Sequence, residues 1–510
     1  MGASERGGWE RWLVATVGGA LVACVVLPAV ARGGGDVVAY AAAAVAALVP
    51  WFARVLPRSL AGAARRRPVV ASLWGLLALI ALLQVGRLSA FMADPARTWG
   101  STFPDPVATS HVCAAAYVHA AELARSGEAN VYDAKFYPAY SMKSGTSDGL
   151  ASGGASSVSG LGPYLQDPYE YPPPFLLLPR AGLALTNDFM VLRTVWFVLQ
   201  ALLLGGAAVG LARWVGGRAG FIAGLLTPSL LASPPTMLDL QFGQVHLLVI
   251  AAALLAMVAF ERERPALGGA LLGFAIVTKL FPALLLVWLL ARRDWRAILW
   301  TIAGAAAFTA VAVAVLGGAP FTAFVSYQLP RIASGDAFSF FLRKPFFISR
   351  NFSVSGVVFK LRQLGVAGMT QGVANAVGWI YTALLLRLAW RTRARDEARG
   401  ERLCVWLALL SLGALRSPLA PSAYVTASTL WLLAWLAAEV RAPGGLLAFV
   451  LLWIAVAGLP PLKGNVEMVT SLACQAATIG VSVWVISRGC GASASVSASS
   501  PASGPVPPPP

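Results

Sequence analysis

The sequence predicts an all-α, polytopic membrane protein, and three observations predict it. Of 510 residues, 58% are hydrophobic and only 12% charged, with a mean hydropathy of +0.70, a balance that soluble domains do not show. Windows of about 20 mainly apolar residues, the length that crosses a bilayer as a helix, begin near residues 10, 36, 68, 188, 217, 240, 295, 366, 402, 420, 443 and 467. Arginines then recur in short loops at every second turn: Arg54, Arg58 and Arg65 to Arg67; Arg213 and Arg218; Arg292, Arg293 and Arg296; Arg391, Arg393, Arg395, Arg399 and Arg402. That is the positive-inside pattern. It explains the formal net charge of +17 without nucleic acid as a partner. It also sets the expected topology: a multi-pass cell-membrane protein with both termini cytoplasmic and two long loops outside.

Taken in order, residues 1–92 should form N-terminal transmembrane helices, the first an uncleaved signal anchor after "MGASERGGWERW", because no small-residue cleavage site with a polar continuation comes after it. Residues 93–187 form the first outside loop. Within it "HVCAAAYVHAAELARSGEANVYD" repeats apolar residues at helical spacing and predicts an amphipathic helix against the membrane face. The next stretch, "SMKSGTSDGLASGGASSVSGLG", is rich in Gly and Ser and reads as a flexible insert or lid. In "YEYPPPFLLLP", Tyr169 to Pro179, proline fixes its own φ and pushes the preceding residue towards extended backbone. Tyr171 to Pro173 should therefore be extended, hold Tyr169, Glu170 and Tyr171 at the membrane face, and start a short helix that Pro179 interrupts.

Residues 188–316 form a transmembrane core. Its segment "ALGGALLGFAIVTKLFPALLLVWLLARRDWR" is flanked by basic loops on both sides, which a single straight crossing would place on opposite faces. A break at "TKLFP" resolves this as a re-entrant helical pair with Lys279 at the turn, since non-helical backbone at depth is tolerated where it lines a cavity; one helix with Lys279 snorkelling is the alternative. Residues 317–365 make the second outside loop, 366–488 the C-terminal transmembrane helices, and 489–510 a disordered tail. The two halves are unlike, which favours an enzyme over a transporter built from matched repeats.

Candidate binding residues lie at the outside ends of spans. Lys279, Arg350 and Arg416 supply cations that bind and stabilise a leaving phosphate, and "FLRKPFFISRN" adds Arg343 and Lys344. Arg350 stands beside Asn351 and Ser353. Gln241, Gln244 and His246 can bond sugar hydroxyls or hydrogen-bond between helices, and Asp239 reads by default as an N-terminal helix cap. Three histidines without ligand spacing give no zinc site. No GxSxG, P-loop or GxGxxG stands after a predicted strand, so hydrolase and nucleotide readings lack support.

The ordered set "VYD", "YEYPPPFLLLP", "FGQVHLLVIAAALLAMV", "GGALLGFAIVTKLFPALLLVWLLARRDWR" and "NFSVSG" resembles glycosyltransferase family 87 over about residues 100–430. The resemblance implies the GT-C membrane fold, about 12 transmembrane helices and the re-entrant pair being its form here. It also implies transfer of a hexose, typically mannose, from a polyprenyl-phosphate carrier to a glycolipid or glycan acceptor outside the cell membrane, with no obligatory metal or cofactor. The family places an aspartate early in the first outside loop as general base on the acceptor hydroxyl. Counting back from "VYD" reaches Ser110 to Cys113, where no acid stands. Asp105 is the nearest candidate, although Asp-Pro is also turn chemistry; Glu128, Asp133 and Glu170 are the alternatives. The rivals are a lipid-linked glycan ligase or polymerase, and a transporter or flippase of lipid-linked saccharide, which would need ionisable residues at mid-membrane in several spans.

Overall fold

A computed structural model describes residues 85–102, 109, 112–137, 156–162, 164, 168–231, 233–338, 345–392, 398–439, 449 and 464–488. Among them the chain is helical apart from turns and two isolated bridges, Ser159 with Asp188 and Asn351 with Pro421. The expected spans from residues 10, 36 and 443, the start of the one from 68, and the tail lie outside the described residues. Four described helices are long and apolar enough to cross a membrane: α3 (Phe189–Val215), α9 (Trp295–Leu316), α11 (Gln371–Arg391) and α14 (Gly464–Arg488, apolar over Gly464–Ser487). A fifth crossing results if α4 (Gly217–Leu231) and α5 (Pro234–Phe242), bent by 61°, count as one. Two prolines at the start of α5 and Pro228 inside α4 explain the bend, since proline removes amide donors and starts helices readily. The windows near 240, 402 and 420 form the shorter α6 (His246–Glu261), α12 (Arg399–Ala414) and α13 (Ser422–Glu439).

The core gathers around α6, α12 and α13, which are buried almost all round. At one end, the Arg399 guanidinium donates to the Trp214 carbonyl at 3.1 Å and Arg402 pairs with Glu261 at 2.6 Å. These ties bring the ends of α3 and α6 and the start of α12 to the same face, as the arginine pattern requires. At about 1.5 Å per residue, the other end of α6, at His246, lies roughly 20 Å away.

The helix α1 (Cys113–Arg125) forms where the apolar spacing predicts it. Every residue from Cys113 to Leu123 is buried. Its alanines are small enough to be enclosed on all sides, so the helix is threaded into the bundle. Glu122 anchors it: its carboxylate accepts from the Ser156 hydroxyl at 2.6 Å, the Ser157 hydroxyl at 2.7 Å and the Ser157 amide. Burial pushes this carboxyl up, and those hydrogen bonds together with His119 more than offset it, leaving the group below its ordinary value. A depressed carboxylate contributes stability above its unfolded value, about pH 4.3, that is lost as pH falls through the lower folded one. The melting temperature should therefore fall more steeply below that pH in the wild type than in Glu122→Gln, measured in detergent by scanning fluorimetry.

The break expected at "TKLFP" is present. After α7 (Pro265–Thr278), Lys279 is extended (φ −140°, ψ 136°), a 3-10 turn spans Phe281–Ala283, and α8 (Leu284–Ala291) comes next. Both arms pack on α9; α7 also packs on α6, and α8 on α11 and α12. The proline stretch agrees with its expectation in part: Pro172 is extended (φ −57°, ψ 150°), but Pro173, expected to be extended, opens a 3-10 turn over Pro173–Leu176. Pro179 does not interrupt the helix after that turn. It falls in the first turn of α2 (Leu177–Leu185), where no amide is needed.

Candidate active site

The break at Lys279 and the segment before the prolines meet. Lys279 Nζ stands 5.3 Å from the centre of the Tyr171 ring, and its ammonium is within electrostatic reach of Asp239 and Glu170. Lys279, Tyr171 and Glu170 form a half-buried trio. Beneath it lies a fully buried polar floor.

Gln244 organises that floor. Its Oε1 accepts from the Tyr171 hydroxyl at 2.8 Å and from the Val245 amide at 2.8 Å, and the Tyr117 hydroxyl of α1 lies 3.0 Å from the same oxygen and 3.1 Å from the Tyr171 hydroxyl. The Gln244 carbonyl accepts from Gln200 of α3 at 2.8 Å, and Trp196 Nε1 donates to the Gly243 carbonyl at 2.7 Å. Gly243 closes α5 in the left-handed region (φ 66°), and a Cβ there would meet Ala114 at 2.8 Å and Trp196 at 3.0 Å. The turn thus needs glycine both for its backbone and for the close approach of α1. Four tyrosines and a phenylalanine extend the wall: Tyr171 packs on Tyr117, Tyr169 and Phe175 within 5.8 Å, and Tyr169 on Tyr132 at 5.5 Å. Tyr132 donates to the Tyr171 carbonyl and Tyr169 to the Pro172 carbonyl.

Asp239 is 1% exposed inside α5. Its carboxylate is within electrostatic reach of the Leu247 amide at the start of α6, and Oδ1 has no hydrogen-bond partner among the described residues. His246 forms no bond between helices through Nε2 among those residues; its ring packs between Phe281 at 5.3 Å and Tyr424 at 6.0 Å. Tyr424 in turn approaches Cys113 Sγ at 3.7 Å. Gln241 is enclosed, and its Oε1 accepts from the Thr102 amide at 2.7 Å.

Of the acids proposed from sequence, only Glu170 comes to Lys279 among the described residues. Asp105 lies outside them, three residues beyond the tethered Thr102. Glu128 sits past the end of α1 remote from Tyr117, its amide bonded to the Leu123 carbonyl. Asp133 caps a 3-10 turn by accepting from the Lys135 amide, and it pairs with the Lys135 ammonium at 3.4 Å.

The second outside loop differs from its expectation. Asn351 is buried and fully employed: Oδ1 accepts from the Ser353 and Ala420 amides, both at 3.0 Å, and Nδ2 donates to the Pro418 carbonyl at 3.1 Å. It staples residues 350–354 to 415–422 rather than presenting its amide to a sugar. Arg350 turns away from Asn351 to pair with Glu467 at 3.3 Å, its guanidinium 3.9 Å from the Phe346 ring. Arg416 donates to Thr382 and lies 5.3 Å from the Trp379 ring. Neither arginine joins the Lys279 cluster, and Arg343 and Lys344 fall outside the described residues.

Sequence reasoning misses four residues of the site: Asp239, taken only as a cap, and Tyr117, Cys113 and Tyr424. Tyr117 sits in an alanine-rich helix that reads as packing, and Tyr424 is about 145 positions from Lys279 along the chain, so no local spacing links them.

Against known proteins, the deciding stretch starts at the tyrosine that opens the proline motif. Residues 169–418 match glycosyltransferase family 87. The family segment therefore contains Glu170, Asp239, Gln244, Lys279 and Asn351, and begins after α1. The chain is also 32% identical over 151 residues to a polyprenol-phosphate-mannose-dependent alpha-(1-2)-phosphatidylinositol mannoside mannosyltransferase of Mycolicibacterium smegmatis, a match covering 27% of this chain. It spans about a third of that relative's length, 34%. No solved structure matches.

Proposed function

We propose that the protein transfers a hexose, mannose first among them, from a polyprenyl-phosphate carrier to a glycolipid or glycan acceptor on the outer face of the cell membrane. The observation that carries this reading is Lys279, a half-buried cation at a helix break, facing Tyr171 and Glu170 inside the family 87 segment. A total of about 12 spans in the GT-C arrangement belongs to the same proposal.

In this reading the acceptor oxygen attacks the anomeric carbon, the carbon–oxygen bond to phosphate breaks, and the electron pair leaves on the phosphate. Lys279 meets the developing negative charge in a site whose burial strengthens the interaction. Tyr171, pinned by Gln244 and Tyr117, offers a ring face to the sugar. The acceptor proton goes to a carboxylate, either Glu170 beside Lys279 or Asp105.

Radiolabelled transfer from polyprenyl-phosphate-mannose, with matched expression of Asp105→Asn and Glu170→Gln, tests the assignment. The base variant should lose about 10²–10⁴-fold in rate, the other variant much less. Full activity in both would remove the carboxylate step as written.

A further inference from the structure

Arg193 is a buried charge that the proposed transfer leaves unused. It lies in the second turn of α3, 1% exposed, with its guanidinium between the rings of Phe91 at 4.7 Å and Tyr164 at 5.2 Å. Nη1 donates to the Tyr164 hydroxyl at 3.0 Å. Among the described residues, Nε and Nη2 have no hydrogen-bond partner and no carboxylate bonds to this side chain.

Which atoms are unmatched matters. Nε–H and Nη2–H point the same way and form the side-on fork that grips a carboxylate or phosphate with two parallel hydrogen bonds. Ring stacking satisfies the faces of the guanidinium and Tyr164 takes one edge, leaving this fork intact. A buried charge with empty donors is costly, and a leucine or methionine would fill the same space without that cost. Ionisable residues inside spans are functional by default for this reason.

The position of Arg193 relates it to the site. Residues 193, 196 and 200 share one face of α3. Trp196 holds the Gly243 carbonyl and Gln200 the Gln244 carbonyl, so Arg193 stands one turn from the residue that braces the floor beneath Tyr171. Its rise above Gln200 is roughly 10 Å along the helix, far enough for a second anion beside that at Lys279.

We propose that the Nε–Nη2 fork of Arg193 is a phosphate subsite for a lipid substrate, separate from Lys279. This rests on the lipid-linked transfer reading, and binding measured without turnover keeps the two apart. The phosphate can belong to an acceptor phospholipid or to the polyprenyl carrier, and the lipids are tested individually.

The purified full-length protein in detergent is titrated with phosphatidylinositol and with polyprenyl phosphate, with diacylglycerol and polyprenol as uncharged controls, and binding is read by thermal shift and native mass spectrometry. The wild type should bind the phosphate lipids and not the controls. Arg193→Gln should weaken one of them by about tenfold or more: loss with phosphatidylinositol assigns the fork to an acceptor lipid, loss with polyprenyl phosphate to the carrier. Unchanged affinity for both overturns the subsite. Arg193→Lys, which keeps the charge but loses the fork, carries the same test should the glutamine variant not fold. A wild type that binds as stated yet transfers no sugar would leave the subsite standing and remove the transfer reading.

Discussion

Lys279→Met should lower sugar transfer at least about a hundredfold, the scale of removing one preorganised group that stabilises transition-state charge. The loss should appear in kcat more than in KM, because the phosphate gains charge as the sugar departs. The substitution has a second consequence. Asp239 is buried within electrostatic reach of Lys279, and removing that cation leaves the buried carboxyl less well compensated. Lys279→Met should therefore also melt early. The double variant Lys279→Met/Asp239→Asn separates the effects: it should recover most of the stability and none of the activity. Recovery of transfer in the double variant would mean that Lys279 merely balances Asp239.

Gly269→Val should be the most disruptive single change in the described bundle. The helices α7 and α9 touch backbone to backbone: a Cβ on Gly269 would overlap the Trp300 carbonyl, one on Gly304 would stand 2.5 Å from the Gly269 oxygen, and one on Gly273 2.6 Å from the Ala305 nitrogen. Small residues four apart are what allow such approach in membrane helices. A valine forces the pair apart, costing about 1–3 kcal/mol or more as overpacking does, and α7 ends at Lys279, so transfer should fail with it. Gly206→Ala in α3 is the control. No atom lies within 4 Å of its new Cβ, and alanine is the better helix former. Equal melting temperatures for the two variants would contradict the packing account.

How much of the fold is legible in the sequence depends on what each signal rests on. The break at Lys279 is readable because basic loops flank an apolar segment on both sides, a conflict that sequence alone exposes. The proline lead-in is readable because proline acts on its own backbone, yet Pro179 misleads, since the same residue is harmless in a first turn and disruptive later. The burial of α1 is not readable: alanines at helical spacing suit a surface or an interior equally, and only the fit against Gly243 decides. Asn351 and Arg350 look like binding residues because polar neighbours in sequence suggest a shared site. In the fold they point apart, one to the 415–422 loop and the other to Glu467. The floor of Gln244, Tyr117, Asp239 and Tyr424 assembles from separate parts of the chain, which no spacing rule records.

The central claim is that this membrane protein moves a sugar off a polyprenyl phosphate. The most direct measurement reconstitutes the purified wild type in proteoliposomes containing doubly labelled polyprenyl-phosphate-mannose and membrane glycolipid, and tracks both labels. The account predicts one polyprenyl phosphate released for each sugar joined to acceptor, with both events lost in Lys279→Met. Movement of intact polyprenyl-phosphate-mannose between leaflets with no release of polyprenyl phosphate would contradict it.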